Sequence, residues 1–201
     1  MATVTQQRPA LLIVGMQNDF LTPGSGRLYN PSARALISTI NQLTSAARRS
    51  RVPVIWIVQE HRHQLVDFGR EGDISPPHCV EGTPGAALSP PLIRDPNDFV
   101  VIKRRFSGFY GTDLDLLLRC LGCTTLVLTG INTDGCVYAT AVDAHARDYF
   151  LRVIAEATAG WDVVAYQTAL IGLGRLQPDV IISFDQAVGQ FLGLPAGETH
   201  R

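Results

Sequence analysis

The sequence has little charge, and what charge it has is almost balanced. It contains 17 Lys and Arg against 18 Asp and Glu, and charged residues make up 17% of its 201 positions. Nucleic-acid affinity comes mainly from a cationic excess that neutralises phosphates, so this balance argues against a nucleic-acid partner. The hydrophobic share of 46% is large enough to bury a core, which excludes extended disorder.

Long hydrophobic runs and cysteines are scarce as well. No stretch approaches the roughly 18 to 20 apolar residues that span a bilayer, and the first ten residues are polar without an apolar core. We therefore expect no membrane partner and a cytoplasmic location. Four cysteines are too few for a disulfide framework in a chain of this length, so each is core filler, a ligand or a nucleophile.

The sequence does contain a regular alternation of apolar runs and helical patterns. Short apolar runs predict six buried strands, at 10–15, 52–58, 99–103, 125–129, 151–156 and 180–183. Helical spacing between and after them predicts helices at 31–50, 112–121, 135–150 and 162–176, with a last one after Ser183. This alternation is typical of a parallel sheet covered on both faces. We expect one α/β domain over residues 1–201, a three-layer α/β/α sandwich around a six-stranded parallel sheet.

One long segment interrupts this alternation. Residues 59–94 are rich in glycine, proline and charge and show no regular period. Long irregular loops inside compact domains are usually functional. We therefore expect this segment to build a pocket wall.

Candidate chemistry lies where the predicted strands end, because ligands of open α/β sheets bind beyond the carboxyl ends of the strands. The first strand runs into VGMQNDF, the third ends on Lys103, and the fourth leads to Cys136 at a helix start. A helix N-terminus stabilises a thiolate, although Cys136 could also be a small core thiol. Lys103 follows the apolar run FVVI, so its ammonium either reaches solvent or serves a polar site.

Five segments resemble a known family: LLIVGMQNDF, EHRHQLVDFGRE, PPHCVEGTPGA, VVIKRRFSGFYGTDLD and LTGINTDGCVYATAVDAHARDY. They are similar to those of the isochorismatase-like cysteine hydrolases, which include nicotinamidases, isochorismatases, and carbamoylsarcosine, biuret and ureidoacrylate amidohydrolases. The resemblance covers nearly the whole chain. It implies a six-stranded parallel sheet flanked by helices.

The resemblance also implies a mechanism. Cys136 would be the nucleophile that attacks an amide carbonyl, and Lys103 would hold its thiolate. The backbone N–H groups of Asn132 and Cys136 would form the oxyanion hole, next to a cis peptide bond between Ile131 and Asn132. An acyl-enzyme and release of ammonia or an amine would follow, without a cofactor.

Gly15 departs from the family pattern. The family has its catalytic aspartate at this position, in a motif of the form VDMQNDF, and this chain has VGMQNDF. General acid-base help of this kind is worth about 100-fold to 10,000-fold in rate. Asp19 matches the family's second, non-catalytic aspartate and is a candidate substitute. An engineered inactive variant, a homologue with a displaced base, and a natural non-enzyme all remain open.

Nicotinamidases of this family hold a metal beside the pocket. His78 matches one ligand, but the other ligand positions fall on Glu60, Arg62 and Phe68, and neither Arg nor Phe can ligate. We therefore predict no metal. An improvised site of His78 with Glu60 or His61 remains open.

The residues predicted to bind substrate come from the same segments. The EHR start of the loop resembles members that act on ureido and carbamoyl substrates. Arg62, Arg104 and Arg105 could each clamp a carboxylate or carbonyl, or be ordinary surface charges. The predicted pocket walls are Phe20, Phe106, Phe109, Ile131 and Tyr138.

The leading hypothesis is a small-molecule amidohydrolase that acts on a carbamoyl or ureido amide. The resemblance also implies a homo-oligomer, either a dimer or a tetramer. One alternative is an isochorismatase-like vinyl ether hydrolase, which needs the aspartate rather than the thiol. The other is a catalytically silent binding homologue that keeps the pocket and not the turnover.

Overall fold

The sheet has six strands, and all of them are parallel. A computed structural model describes residues 7–24 and 28–192. The strands occur in the order β3-β2-β1-β4-β5-β6. They are β1 (Pro9–Val14), β2 (Val54–Gln59), β3 (Phe99–Lys103), β4 (Thr125–Ile131), β5 (Phe150–Ala159) and β6 (Ile181–Ile182). The predicted six-stranded parallel sheet is confirmed.

Helices cover both faces of the sheet. They are α1 (Asn18–Leu21), α2 (Pro31–Ala35), α3 (Ile37–Arg49), α4 (Leu114–Cys120), α5 (Tyr138–His145), α6 (Val163–Leu173) and α7 (Phe184–Ala187). Ile40 and Leu43 of α3 pack in the core on one face, whereas Leu118 of α4 and Ala141 of α5 pack in the core on the other. The expected three-layer arrangement is therefore present.

Burial explains why the strands read as continuous apolar runs. In β1 the residues from Ala10 to Val14 are buried, because helices cover both sides of this central strand. The strand β3 lies at the edge of the sheet and exposes Val100 and Ile102. Its boundaries are those expected from the sequence.

The region after β4 differs from the expectation. A π-helical turn, Thr133–Val137, precedes α5, so the helical segment starts two residues earlier than predicted. The α-helix stops at His145, and Asp148 then takes a left-handed conformation with φ of 64°. The strand β5 can therefore begin at Phe150 and run to Ala159, further than the predicted 151–156.

Two helix starts illustrate how capping residues behave. Thr112 and Asp115 have the spacing of a capping box, but no box forms before α4, because Asp115 binds Arg119 and the Tyr149 hydroxyl instead. A capping box does form before α7: the Ser183 side chain accepts from the Gln186 N–H, and the Gln186 side chain accepts from the Ser183 N–H.

The long segment between β2 and β3 folds over the carboxyl edge of the sheet. It contains two short 3₁₀ turns, Gly69–Asp73 and Pro84–Ala86, and an isolated bridge between His61 and Val80. This placement supplies the wall that the sequence led us to expect. Within the described ranges, no helix has the length and apolar character needed to cross a bilayer.

Candidate active site

A cavity of about 420 Å³ opens where β1 and β4 end. Gly15 follows β1, Ile131 and Asn132 come from the end of β4, and Cys136 comes from the π-helical turn. Small-molecule sites commonly measure about 300 to 1,000 Å³, so the cavity is large enough for a small substrate. The predicted position of the site, at the carboxyl ends of the strands, agrees with the position of this cavity.

The central contact of the site joins Lys103 and Cys136. The Nζ atom of Lys103 lies 3.2 Å from the Sγ atom of Cys136. The strand β3 is separated from β4 by two other strands, so the turn that carries Cys136 reaches back toward the end of β3. An ammonium at this distance stabilises a thiolate electrostatically.

Lys103 is completely buried, so its ammonium does not reach solvent. Besides the sulfur, it donates to the Gln59 Oε1 at 2.8 Å and to the backbone carbonyl of Arg105 at 3.1 Å. A buried charge is costly unless it is paired and hydrogen-bonded. The three contacts meet that requirement, and the sulfur is the partner that can carry a negative charge.

Gln59 holds Lys103 in place, and the sequence reasoning missed it. The Gln17 side chain donates to the backbone carbonyl of Gln59 at 2.7 Å and accepts from its N–H at 2.7 Å. This pair of hydrogen bonds fixes the end of β2. The available signal was a polar residue at the end of the apolar run VPVIWIV.

The other cysteines differ from Cys136 in their surroundings. Burial raises the pKa of the Cys79 thiol, and the nearby Asp19 carboxylate adds to the effect. Burial also raises the pKa of Cys123. Cys120 is exposed on α4. Cys136 therefore differs from both buried thiols in its contact with an ammonium.

The turn that carries Cys136 is built around Asn132. The carbonyl of Asn132 accepts from the N–H groups of Gly135 at 2.9 Å and Val137 at 3.1 Å, which closes the π-helical turn. The peptide bond between Ile131 and Asn132 is cis, as the resemblance implied. Cys136 thus lies in the first turn of the helical segment, near its N-terminal end.

Gly15 occupies its position with a left-handed backbone, at φ of 69°. A Cβ atom there would lie 2.9 Å from the carbonyl oxygen of Ile131. Real Cβ atoms essentially never approach another heavy atom so closely. The backbone in this structure therefore fits glycine and leaves no ordinary place for an aspartate side chain.

Asp19 does not take over the missing position. Its carboxylate accepts from the backbone N–H of Cys79 at 2.6 Å, and it packs against Gly85, where any Cβ would overlap it. Asp19 is not among the described residues that line the cavity. This geometry gives it a role in holding the 59–94 segment against α1.

A polar cluster lies beneath one wall of the cavity and consists of Gln59, His61, Glu71 and His78. The Nε2 atom of Gln59 is 2.8 Å from the His61 Nε2, 3.0 Å from the Glu71 carboxylate and 3.2 Å from the His78 Nε2. Burial alone would raise the pKa of Glu71, but hydrogen bonds from His78 and Gln59 outweigh it and lower that pKa. Burial lowers the pKa of His61, which favours its neutral form.

Three residues of this cluster have ligand atoms close enough to surround a metal ion: His61, Glu71 and His78. Glu60, considered from the sequence, does not belong to this group. The amide nitrogen of Gln59 already lies within hydrogen-bonding distance of all three residues, and Lys103 fixes the orientation of that amide. An ion would have to displace this amide, so the geometry fits the hydrogen-bonded cluster better than a metal.

None of the three arginines predicted to bind substrate is among the described residues that line the cavity, although Arg105 lines a neighbouring depression beside Phe106. Their role at the substrate stays a prediction. Arg62 and Arg104 each contact the Asp67 carboxylate at 2.8 Å. Arg105 donates to the backbone carbonyl of Asp67 at 2.6 Å. All three guanidinium groups are thus held around the residue 67 loop.

Among the predicted walls, Phe20, Phe106 and Ile131 line the cavity. Tyr138 and Phe109 do not line it: Phe109 is buried in the hydrophobic core, and Tyr138, the first residue of α5, is partly buried against the same core. Sequence reasoning missed several lining residues, because no motif points to them. They are Leu28, Glu71, Ile74, Asp134 and Trp161.

Comparison with known proteins agrees with the fold. The isochorismatase domain matches residues 9–180. A probable inactive nicotinamidase of Arabidopsis thaliana is 34% identical over 75% of this chain and 80% of its own length. The ureidoacrylate amidohydrolase of Methylorubrum extorquens is 35% identical over 74% of this chain and 68% of its own length.

The fold also matches a solved structure. An isochorismatase-like hydrolase from Alkaliphilus metalliredigens superimposes with a TM-score of 0.83 and 31% identity, covering 90% of this chain and 98% of that one. The domain match spans most of the chain, from β1 to the residue before β6. The chain therefore belongs to the isochorismatase family.

Proposed function

We propose that the chain is a cysteine-dependent amidohydrolase that acts on a small amide of the carbamoyl or ureido type. The observation that carries this proposal is the 3.2 Å contact between the Lys103 ammonium and the Cys136 sulfur. The contact is at the floor of a cavity of about 420 Å³. It favours thiol chemistry over vinyl ether hydrolysis, which has no use for a thiolate.

The reaction proceeds in two stages. The Cys136 thiolate attacks the carbonyl carbon, a carbon–sulfur bond forms, and an electron pair moves to the carbonyl oxygen. The backbone N–H groups of Asn132 and Cys136 donate to that oxyanion. The carbon–nitrogen bond then breaks to leave a thioester-type acyl-enzyme, which water hydrolyses.

The leaving nitrogen needs a proton that Gly15 cannot supply. The Lys103 ammonium, whose Nζ is 3.2 Å from the sulfur, carries a proton that can serve instead. Lys103 can give this proton to the leaving nitrogen and regain one from the attacking water. Without the aspartate, turnover is expected to be about 100-fold to 10,000-fold below that of an intact site.

A catalytically silent binding homologue is the second candidate. The left-handed Gly15 and its close approach to Ile131 favour it, because they leave no place for the family's carboxylate. The name of the Arabidopsis relative, a probable inactive nicotinamidase, points the same way. Both candidates keep the cavity and differ in turnover.

Ammonia release distinguishes the two candidates. The unmodified chain, Cys136→Ser and Cys120→Ser are incubated with a panel of carbamoyl and ureido compounds and simple amides. The proposal requires slow release that Cys136→Ser abolishes and Cys120→Ser retains, because Cys120 is exposed on α4 away from the cavity. The same slow release in the Cys136→Ser chain, or none from any compound, would support the silent homologue.

Absence of a metal or other cofactor, a cytoplasmic location and a homo-oligomeric assembly stay predictions. The first has structural support in the Gln59 amide, which fills the centre of the only three-residue ligand cluster found among residues 7–24 and 28–192. The other two follow from the composition and from the resemblance.

A further inference from the structure

The cavity wall combines apolar side chains with carboxylates. Phe20, Phe106 and Trp161 contribute aromatic rings, whereas Glu71 and Asp134 contribute acidic groups. Over the described part of the chain, no arginine or lysine side chain lines the cavity. Such a wall suits an apolar ligand without a negative charge.

The negative charge of the wall is held in place. The Glu71 carboxylate accepts from the His78 Nε2 at 3.1 Å and from the Gln59 amide at 3.0 Å. The Asp134 side chain accepts from the backbone N–H of Trp161 at 2.9 Å. The net charge of Glu71, Asp134 and His78 together is negative whether His78 is neutral or protonated. The positive charge of Lys103 is offset by the thiolate that it contacts.

The three arginines that the sequence placed at the substrate make contacts around Asp67. Arg62 and Arg104 are paired with Asp67, and Arg105 donates to the backbone carbonyl of the same residue. Moving any of them into the cavity would break its own contact with Asp67. A carboxylate in the cavity would thus meet like charge without compensation.

We propose that Glu71 and Asp134 are specificity-determining residues that exclude carboxylate-bearing amides, so that the substrate is a carbamoyl or ureido compound whose remaining part is uncharged or cationic. The proposal rests on the proposed function for the identity of the nucleophile. It separates this chain from its Methylorubrum relative, because ureidoacrylate itself carries a carboxylate.

A matched pair of alkylating reagents tests the proposal at Cys136 without requiring turnover. Iodoacetamide is neutral and iodoacetate is anionic, and otherwise they present similar groups to the sulfur. The measured quantity is the ratio of the Cys136 alkylation rate with iodoacetamide to that with iodoacetate. The extent of alkylation is measured by mass spectrometry of the peptide that contains Cys136. The ratio of the two rates is then divided by the same ratio for 2-mercaptoethanol, which gives the normalised ratio.

The normalised ratio should exceed one and should fall in both Glu71→Gln and Asp134→Asn. A cavity of about 420 Å³ is about 9 Å across. A unit charge at that distance, at an effective dielectric constant of about 20 to 80, corresponds to a change of about 2-fold to 20-fold for each carboxylate. Asp113→Asn is the matched control, because Asp113 is exposed and lies outside the cavity lining. That variant should leave the ratio unchanged.

Protection experiments extend the test to substrate-like molecules. N-carbamoylglycinamide is neutral and should slow the alkylation of Cys136, whereas N-carbamoylglycine carries a carboxylate and should not. In Glu71→Gln the carboxylate compound should begin to protect. This last result requires a change of specificity, which loss of stability would not produce.

The possible failures are distinguishable. Slow reaction of Cys136 with both reagents would overturn the proposed function, because it would show that the thiol is not activated. Rapid reaction with a normalised ratio below one would overturn the specificity proposal alone.

Discussion

Replacing Lys103 by methionine should reduce the reactivity of Cys136 and leave the fold in place. Methionine keeps much of the side-chain length and removes the charge that lies 3.2 Å from the sulfur. At that separation, Coulomb's law gives about 1.3 kcal/mol at a dielectric constant of about 80 and about 5 kcal/mol at about 20. Loss of that charge should therefore weaken the electrostatic stabilisation of a thiolate at Cys136 by about 10-fold to several thousand-fold.

The alkylation rate of Cys136 should change less than the stabilisation of its thiolate does. A thiolate that is less stabilised is intrinsically more nucleophilic, and this offsets about half of the effect on a logarithmic scale. We expect the iodoacetamide reaction of Cys136 at about pH 7 to slow by about 3-fold to 80-fold in Lys103→Met. Exposed Cys120 is an internal reference in the same sample, because α4 holds it away from the cavity.

The control and the refuting result are both accessible. Arg175→Met removes a positive charge from an exposed side chain that neighbours neither cysteine in the sequence, and it should leave the ratio of the Cys136 rate to the Cys120 rate unchanged. A folded Lys103→Met chain with an unchanged ratio would refute the electrostatic role of Lys103. If Lys103→Met did not fold, Gln59→Glu would test the same idea. It places a carboxylate against the ammonium, which should lower Cys136 reactivity.

Two further predictions concern stability. Gly15→Asp should destabilise the fold by about 1 to 3 kcal/mol because of its left-handed backbone and the contact with Ile131. Urea unfolding should show a similar loss for Gly15→Ala and a smaller one for Gly82→Ala, where φ is 75° and nothing lies within 4 Å. If Gly15→Asp nevertheless folds and places its carboxylate in the site, it alone should raise ammonia release, by about 100-fold or more; equal activity in Gly15→Ala would show that the carboxylate is not the cause. Asp98→Asn should cost about 1 to 3 kcal/mol at about pH 7. Burial alone would raise the pKa of Asp98, but hydrogen bonds from Arg48 and Trp56 outweigh it and lower the pKa below its usual range. Because the pKa of Asp98 is lower in the folded chain than in the unfolded chain, its ionised form contributes stability above the unfolded pKa, and this stability is lost as the pH falls through the folded pKa. The free-energy cost of Asp98→Asn should therefore shrink as the pH falls below about 4. A cost that stays constant with pH would contradict this assignment.

The sequence predicted those features that depend on local pattern. The run FVVIK gave the boundaries of β3, and the apolar runs gave six parallel strands, because strands buried on both faces need continuous apolar residues. The same pattern placed Lys103 and Cys136 at one edge of the sheet. It did not reveal that β1 and β2 lie between their strands, since strand order depends on how the connecting segments pack.

The sequence could not predict where charged loop residues point. Arg62 and Arg105 were placed at the substrate on the basis of nearby motifs, yet Asp67 and its backbone carbonyl engage them. Glu71 was not considered, although it lines the cavity. These side chains are separated from their partners by irregular chain, so neither helical nor strand periodicity carries information about their contacts.

The substitution at residue 15 affects more than one functional group. In a site that had only lost its carboxylate, the space of the missing side chain would remain open. Here the carbonyl of Ile131 lies 2.9 Å from where a Cβ would stand, so the backbone itself occupies that space. Any chemistry in this conformation must therefore use the thiolate and the ammonium already in contact. With no carboxylate at residue 15, Lys103 is the most direct source of the proton that the leaving nitrogen needs. Lys103→Met therefore tests the amidase proposal more sharply than Gly15→Asp does.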